Sequence, residues 1–191
     1  FYGASRAAVQ PQMDRLRAHF QKLGKGRFID AEEAQEIRPL HIGLSNYAGI
    51  PGEGELRMLA WRPGGGALWF TPGTPMLGAL ANDFQQRSRA VCRAHGLEYL
   101  ASNVCGPRFA RGVHAILFNR NDPDERARAD ACYRAMAQVF AERGVFVGRA
   151  PINYQDFHQR QRMAAMQEAC AAIKRALDPN GVIAPGKYGI E

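Results

Sequence analysis

Histidines and cysteines are the first residues of this 191-residue chain to test for chemistry. His19, His41, His95, His114 and His158 stand apart, without the i, i+4 pairing by which one helix face grips a metal ion. Cys92, Cys105, Cys132 and Cys170 contain no C-x-x-C pair, which removes zinc-ribbon and thioredoxin-type chemistry. Cys92, Cys132 and Cys170 fall on apolar helical stripes, so buried reduced thiols and a reducing, cytoplasm-like compartment are expected. Gly64-Gly65-Gly66 precedes a strand and not a helix, so it is a turn rather than a phosphate cradle. The segment from Asp178-Pro179-Asn180-Gly181 to Pro185-Gly186-Lys187 reads as a helix stop, a short apolar run and a turn presenting one lysine. Taken alone, that lysine is solvated surface.

These residues need elements to position them. Met13, Leu16, Phe20 and Leu23 predict a helix over 11–23, stopped by Gly24, whereas 28–66 is rich in turn formers and reads as irregular chain with at most short helices or strands. Beyond the glycines the pattern sharpens. Residues 67–71 predict a strand, and Leu77, Leu80, Ala81, Phe84, Val91 and Cys92 one helical face ended by Gly96. Strands follow at 97–104 and 113–118, joined by a connection containing Gly106-Pro107-Arg108. Asp122-Pro123-Asp124-Glu125 supplies a cap, a first-turn proline and a capping-box acid for a helix reaching Gly144. A fourth strand is expected at 145–150, and Met163, Met166, Cys170, Ile173 and Leu177 mark a last helix. Strand, helix, strand, strand, helix, strand is the split βαβ order of an α+β, ferredoxin-like fold. Its antiparallel sheet packs helices on one face and leaves the other open.

Composition agrees with a packed core: 46% of residues are hydrophobic and 23% charged. No apolar run approaches the ~20 residues of a membrane span, and the first residues lack the apolar region of a signal peptide. A net charge of +7 favours an anionic ligand or partner without choosing among them. Because the chain opens on Phe1 and not on Met, it reads as a piece of something longer.

The run Ala176-Leu177-Asp178-Pro179-Asn180-Gly181-Val182-Ile183-Ala184-Pro185-Gly186-Lys187 resembles the C-terminal signature of the vanillyl-alcohol oxidase and 4-cresol dehydrogenase flavoprotein family. The resemblance extends through Val147-Gly148-Arg149-Ala150, Tyr154-Gln155-Asp156 and Phe118-Asn119-Arg120-Asn121-Asp122-Pro123. It also takes in Ala129-Asp130-Ala131-Cys132, Gly96-Leu97-Glu98-Tyr99 and Trp69-Phe70-Thr71-Pro72, and so covers about residues 60 to 190. It implies a connecting segment over 1–60 and a C-terminal cap domain over 61–191. In the family, such a cap lays its sheet over the flavin ring of FAD held by a separate half.

Residue by residue, Arg149 matches an arginine that stabilises the phenolate of a bound phenol, and Lys187 a basic position beside the flavin. Trp69 falls in a matching block and joins the substrate-binding candidates. The departures are as informative. Gly148 stands where relatives carry a tyrosine, Ser102 where some carry an acid, and Arg111 where they carry a histidine. Arg111 cannot exchange protons near neutral pH. His114 does not replace that histidine, since an odd spacing on a strand puts Arg111 and His114 on opposite faces. Ala67 occupies the position at which several relatives tether FAD covalently, so non-covalent FAD is implied.

The resemblance implies an FAD-dependent oxidoreductase that takes hydride from a phenol-like or other alcohol substrate. The fragment alone is expected to be inactive. Its implied partners are the FAD-binding domain of the same protein and a small-molecule substrate. A homodimer and a cytochrome or other electron acceptor stay open, and no membrane partner is expected. Two competing readings remain: a degenerate cap kept as a protein-docking surface, and a basic nucleic-acid-binding module. The second draws on Arg108-Phe109-Ala110-Arg111-Gly112, but lacks the Gly-aromatic-x-aromatic core of an RNA-recognition strand.

Overall fold

A serine opens the first helix: Ser5 Oγ accepts the Ala8 N–H at 3.3 Å, and α1 runs Arg6–Lys22. It therefore starts at Arg6 and not at Pro11, because the cap supplies a start signal and Pro11 removes only one N–H from a long helix. The computed structural model describes residues 3–24, 26–155, 157, 164–187 and 190. The chain divides into two compact units, 1–57 and 58–191. In the first, α2 (Ala31–Glu36) is capped by Asp30, whose Oδ1 accepts the Glu33 N–H at 2.8 Å, and α3 (Arg38–Tyr47) packs against it. The expected irregular stretch thus holds two short helices and a 3-10 turn at Gly54–Trp61.

The second unit is an antiparallel sheet with helices on one face. Strands β1 (Gly66–Phe70) and β2 (Gly73–Pro75) lie end to end along one side of the central strand, and α4 (Gly78–Ala94) follows. β3 (Leu100–Cys105) pairs with the other side of β4 (Phe109–Phe118). Next come α5 (Pro123–Ala141) and, among the described residues, α6 (Ala164–Leu177). The fourth strand expected at 145–150 is a single bridge, Pro72 to Val147, beyond the β1 and β2 edge. Gly148 and Pro151 are poor strand formers and stop it there. The third strand is longer than expected, because the Gly106-Pro107-Arg108 hairpin closes tightly (Gly106 N–H to Phe109 C=O, 2.9 Å) and lets pairing begin at Phe109. The strand order is nevertheless that of a split βαβ fold.

The two core helices end in the same way. Gly96 and Gly144 adopt left-handed φ of 65° and 69°, and the next N–H returns to the helix: Leu97 to Cys92 C=O at 2.9 Å, Val145 to Phe140 C=O at 3.0 Å. This motif turns the chain sharply and drops Leu97 and Val145 into the core. At the other end of α5, Asp122 Oδ1 accepts from Asp124 and Glu125 N–H, and Glu125 accepts the Asn119 N–H at 2.6 Å. Arg62 joins Glu98 and Glu125, linking the approach to β1 with the segments before β3 and after β4. Losing the Asp122 cap would cost about 1 kcal/mol.

Phe70, Phe84, Tyr133, Met136 and Phe140 fill the layer between sheet and helices, with Phe84 and Phe140 stacked at 4.1 Å. Truncating Phe70 to alanine would cost about 3–5 kcal/mol, since it is fully buried. Tyr154 stacks on Tyr133 at 3.9 Å and donates to Asp130 at 2.8 Å. That contact ties down the chain immediately after Arg149 and Ala150. Asp156, His158, Met163, Tyr188 and Gly189 lie outside the described residues.

Candidate functional site

Strand alternation decides which side chains can meet a ligand. On β4, Ala110, Gly112, His114 and Ile116 point toward the helices, so Phe109, Arg111, Val113, Ala115 and Leu117 take the opposite face. Register carries this across the sheet. Trp69 lies opposite Ala115, Gly73 opposite Arg111, Ser102 opposite Val113, and Val104 opposite Arg111 on the other side. Trp69, Ser102 and Arg111, singled out from the sequence separately, therefore share one face. Ala67, opposite Leu117, lies on it too.

Among the described residues of the second unit no helix is packed on that face, and its surface is mixed. Leu100, Val104 and Phe109 are exposed hydrophobics, while Ala115 and Leu117 are buried yet outside the main core cluster. Arg111 lies 5.9 Å from the centroid of the Phe109 ring, a cation–π distance. Among the described residues it makes no ion pair. Residues 66–75, 99–118 and 145–155, which build the sheet and its margins, contain no Asp or Glu. The face is cationic with no counter-charge of its own.

Gly148 and Arg149 stand at the sheet margin, just past the Pro72 to Val147 bridge. Thr71 Oγ1 donates to the Arg149 C=O at 3.4 Å, which fixes the backbone there. The Arg149 side chain is exposed and without an ion pair among the described residues. Gly148 is exposed, and a Cβ there would meet nothing within 4 Å. Phe146, between buried Val145 and Val147, is exposed.

Lys187 is held by a different part of the chain. Asp178 closes the end of α6: its Oδ1 accepts the Val182 N–H and its Oδ2 the Ile183 N–H, each at 2.9 Å. Lys174 binds Asp178 and the Ile183 C=O. The Lys174 ammonium beside it holds the Asp178 carboxyl below the usual carboxylate range. This knot shapes the turn that presents Lys187, which lines a groove of about 430 Å³ with Cys170, Ile173, Leu177, Ile183 and Ile190. None of these lining residues belongs to the sheet, so among the described residues the groove does not bring Lys187 together with Trp69, Ser102 and Arg111.

His114 lies on the helix side, its ring T-shaped to Phe70, Tyr99 and Phe140. Burial pushes its pKa down to about 4, and Nδ1 has no hydrogen-bond partner among the described residues. It is a neutral core histidine. Cys92 and Cys132 are buried free thiols, the Cys132 Sγ donating to the Cys92 Sγ at 3.9 Å, whereas Cys170 is only half-buried and Cys105 is exposed. Among the described residues no cluster of His, Cys, Asp and Glu could hold a metal ion, and no helix could cross a membrane. Gly73 and Val104 on the open face were not singled out from the sequence, while Phe109 entered only through the nucleic-acid alternative and Asp178 only as part of a helix stop. Counting by twos from Arg111 would have found Phe109, but Gly73 and Val104 needed the register.

The family described as FAD linked oxidases, C-terminal domain, matches residues 1–188. The match runs over both units. The 4-cresol dehydrogenase [hydroxylating] flavoprotein subunit of Pseudomonas putida is 34% identical over 172 residues, 90% of this chain and 33% of that protein. The 1'-carboxy-chondrochloren decarboxylase of Chondromyces crocatus is 26% identical over 204 residues, 96% of this chain and 38% of that protein. Among solved structures, p-cresol methylhydroxylase with substrate bound superposes over the whole chain at a TM-score of 0.90, with 32% identity and 37% of its own length. The 4-ethylphenol oxidase of Gulosibacter chungangensis in its isoeugenol complex matches 99% of this chain and 38% of its own. Its TM-score is 0.85 and its identity 24%, so it speaks for the fold alone. The chain spans about a third of the length of these relatives.

Proposed function

Because the chain belongs to the FAD linked oxidase C-terminal domain family, we propose that it is the cap of a flavin-dependent oxidoreductase whose remaining half carries FAD. The substrate is a phenol-like or other alcohol that loses hydride from a benzylic or allylic carbon. One observation carries this reading: the helix-free sheet face presents Trp69, Ser102 and Arg111 together, with exposed apolar neighbours and no acid. Such a face suits a flat, partly apolar, electron-rich group. It offers no helix N-terminus or glycine-rich cradle for a pyrophosphate, which the other half must hold.

Bound FAD would supply the two-electron oxidation. The chain's residues position and stabilise. Trp69 forms an aromatic wall for the substrate ring, and Arg149 stabilises its phenolate. Lys187 places fixed positive charge where negative charge develops on reduction, a stabilisation that needs no reorganisation at the moment of reaction. Arg111, permanently charged, binds an anion rather than relaying a proton. Ser102 and Gly148 enlarge the substrate space, and Gly148 contributes no hydroxyl to the phenolate. With Ala67 on the open face, FAD is held without a covalent bond. The partners are the FAD-bearing half and the substrate; a homodimer or a cytochrome acceptor would be additional.

The test compares the isolated chain with the full-length protein. The isolated chain should fold and stay colourless after incubation with FAD and desalting, because one sheet face encloses too little of so large a cofactor. The full-length protein should be yellow and should bleach anaerobically with a 4-alkylphenol or a benzylic alcohol. A colourless full-length protein that binds oligonucleotides in a salt-sensitive way would replace this reading with a nucleic-acid module.

A further inference from the structure

We propose that Arg111 is the specificity-determining residue for a carboxylate carried by the substrate, a deepening that rests on the cap reading above. Arg111 sits on the central strand of the open face, its guanidinium carbon 5.9 Å from the centroid of the Phe109 ring. No segment that builds the sheet carries an acid, and among the described residues the guanidinium makes no ion pair. Once the flavin-bearing half covers this face, Arg111 leaves water. An unpaired charge taken out of water is strongly unfavourable, so an anion must accompany it.

The space beside the guanidinium indicates where that anion comes from. The residue opposite Arg111 is Gly73, and a Cβ there would meet nothing within 4 Å. Gly73 has no left-handed φ, so neither its own backbone nor its packing requires glycine. The same holds for Gly148 on the next track of the sheet. On the Gly73 side the floor next to Arg111 is thus clear, with exposed Phe146 beyond it on the track that bridges to Pro72, while Val104 flanks Arg111 on the other side. A cation beside an unfilled, aromatic-edged floor suits a small aromatic acid. Arginine's planar fork would bind the carboxylate through two parallel hydrogen bonds.

The test uses the full-length flavoprotein and two probes of nearly equal shape, 4-hydroxybenzoate and 4-hydroxybenzamide, titrated while the flavin absorption band is followed. The wild type should bind the acid at least about tenfold more tightly than the amide, the range of one charge-assisted hydrogen bond. Arg111→Gln should remove that preference while changing amide binding less than about twofold, and Arg111→Lys should restore part of it. Equal affinity of the wild type for both probes overturns the inference, and would mean that the flavin-bearing half supplies the counter-charge. Equal loss of both probes in Arg111→Gln also overturns it. Failure of the cap reading looks different, since the full-length protein would then carry no flavin band to follow.

Discussion

Arg111 and His114 stand three positions apart on β4 and face opposite sides of the sheet. The first lies on the open face opposite Gly73, the second among Phe70, Tyr99 and Phe140. One strand thus separates a solvent-facing cation from a neutral core imidazole, and the separation gives the two residues different expected phenotypes.

Arg149→Ala in the full-length enzyme should reduce turnover by roughly two orders of magnitude, as expected for a lost charge at a reacting group, whereas His114→Leu should change it by less than about threefold. Steady-state kinetics with a phenolic substrate checks this. Equal losses, or a loss only at His114, would remove Arg149 from the site.

His114 should make the isolated chain less stable in mild acid. Its folded pKa of about 4 lies below the ordinary 6.5, so between these values the unfolded state binds more protons. The stability conferred by the neutral, buried ring is therefore complete above pH ~6.5, declines as pH falls, and levels off below about 4. The loss over that window is on the order of 2–3 kcal/mol. Urea unfolding at pH 7 and pH 5 should show a drop in the wild type that shrinks in His114→Leu. An identical drop in both would assign the effect to the carboxylates.

Flavin in the full-length protein should be released by acid precipitation. Ala67, which the resemblance sets at the position where several relatives tether FAD, has only a methyl group, and Gly65, Gly66 and Leu68 beside it also lack a nucleophile. Yellow colour in the pellet, traced by peptide mapping to this segment, would contradict the expectation.

Asp178→Ala should loosen the tail that presents Lys187. The carboxylate accepts two backbone N–H groups and pairs with Lys174, so its loss frees Val182 and Ile183 together. Hydrogen exchange at those two amides should accelerate at least about tenfold, while exchange in α5 stays unchanged. Unaltered exchange at Val182 and Ile183 would show that the turn is held by other contacts.

The order of β1, α4, β3, β4, α5 and α6, the two faces of β4 and the family were legible in the sequence, because each rests on local periodicity or on a contiguous block of residues; α2, α3 and β2 were not. Asp122-Pro123-Asp124-Glu125 announces a helix start wherever it occurs, and the odd spacing of Arg111 and His114 separates them on any regular strand. Only the tertiary structure decided which residues stand side by side. Nothing in the sequence pairs Arg111 with Gly73 rather than with a larger residue, because that register belongs to a long-range strand pair, in line with which Phe70 and Ile116 are buried together in the core. The expected fourth strand shrank to one bridge for a related reason. Strand propensity in Val145–Val147 is local, but pairing beyond Val147 needs a partner edge, and the chain turns away at Gly148 to seat Tyr154 on Tyr133. Side chains at one site are a long-range outcome of packing, and spacing along the chain does not contain it.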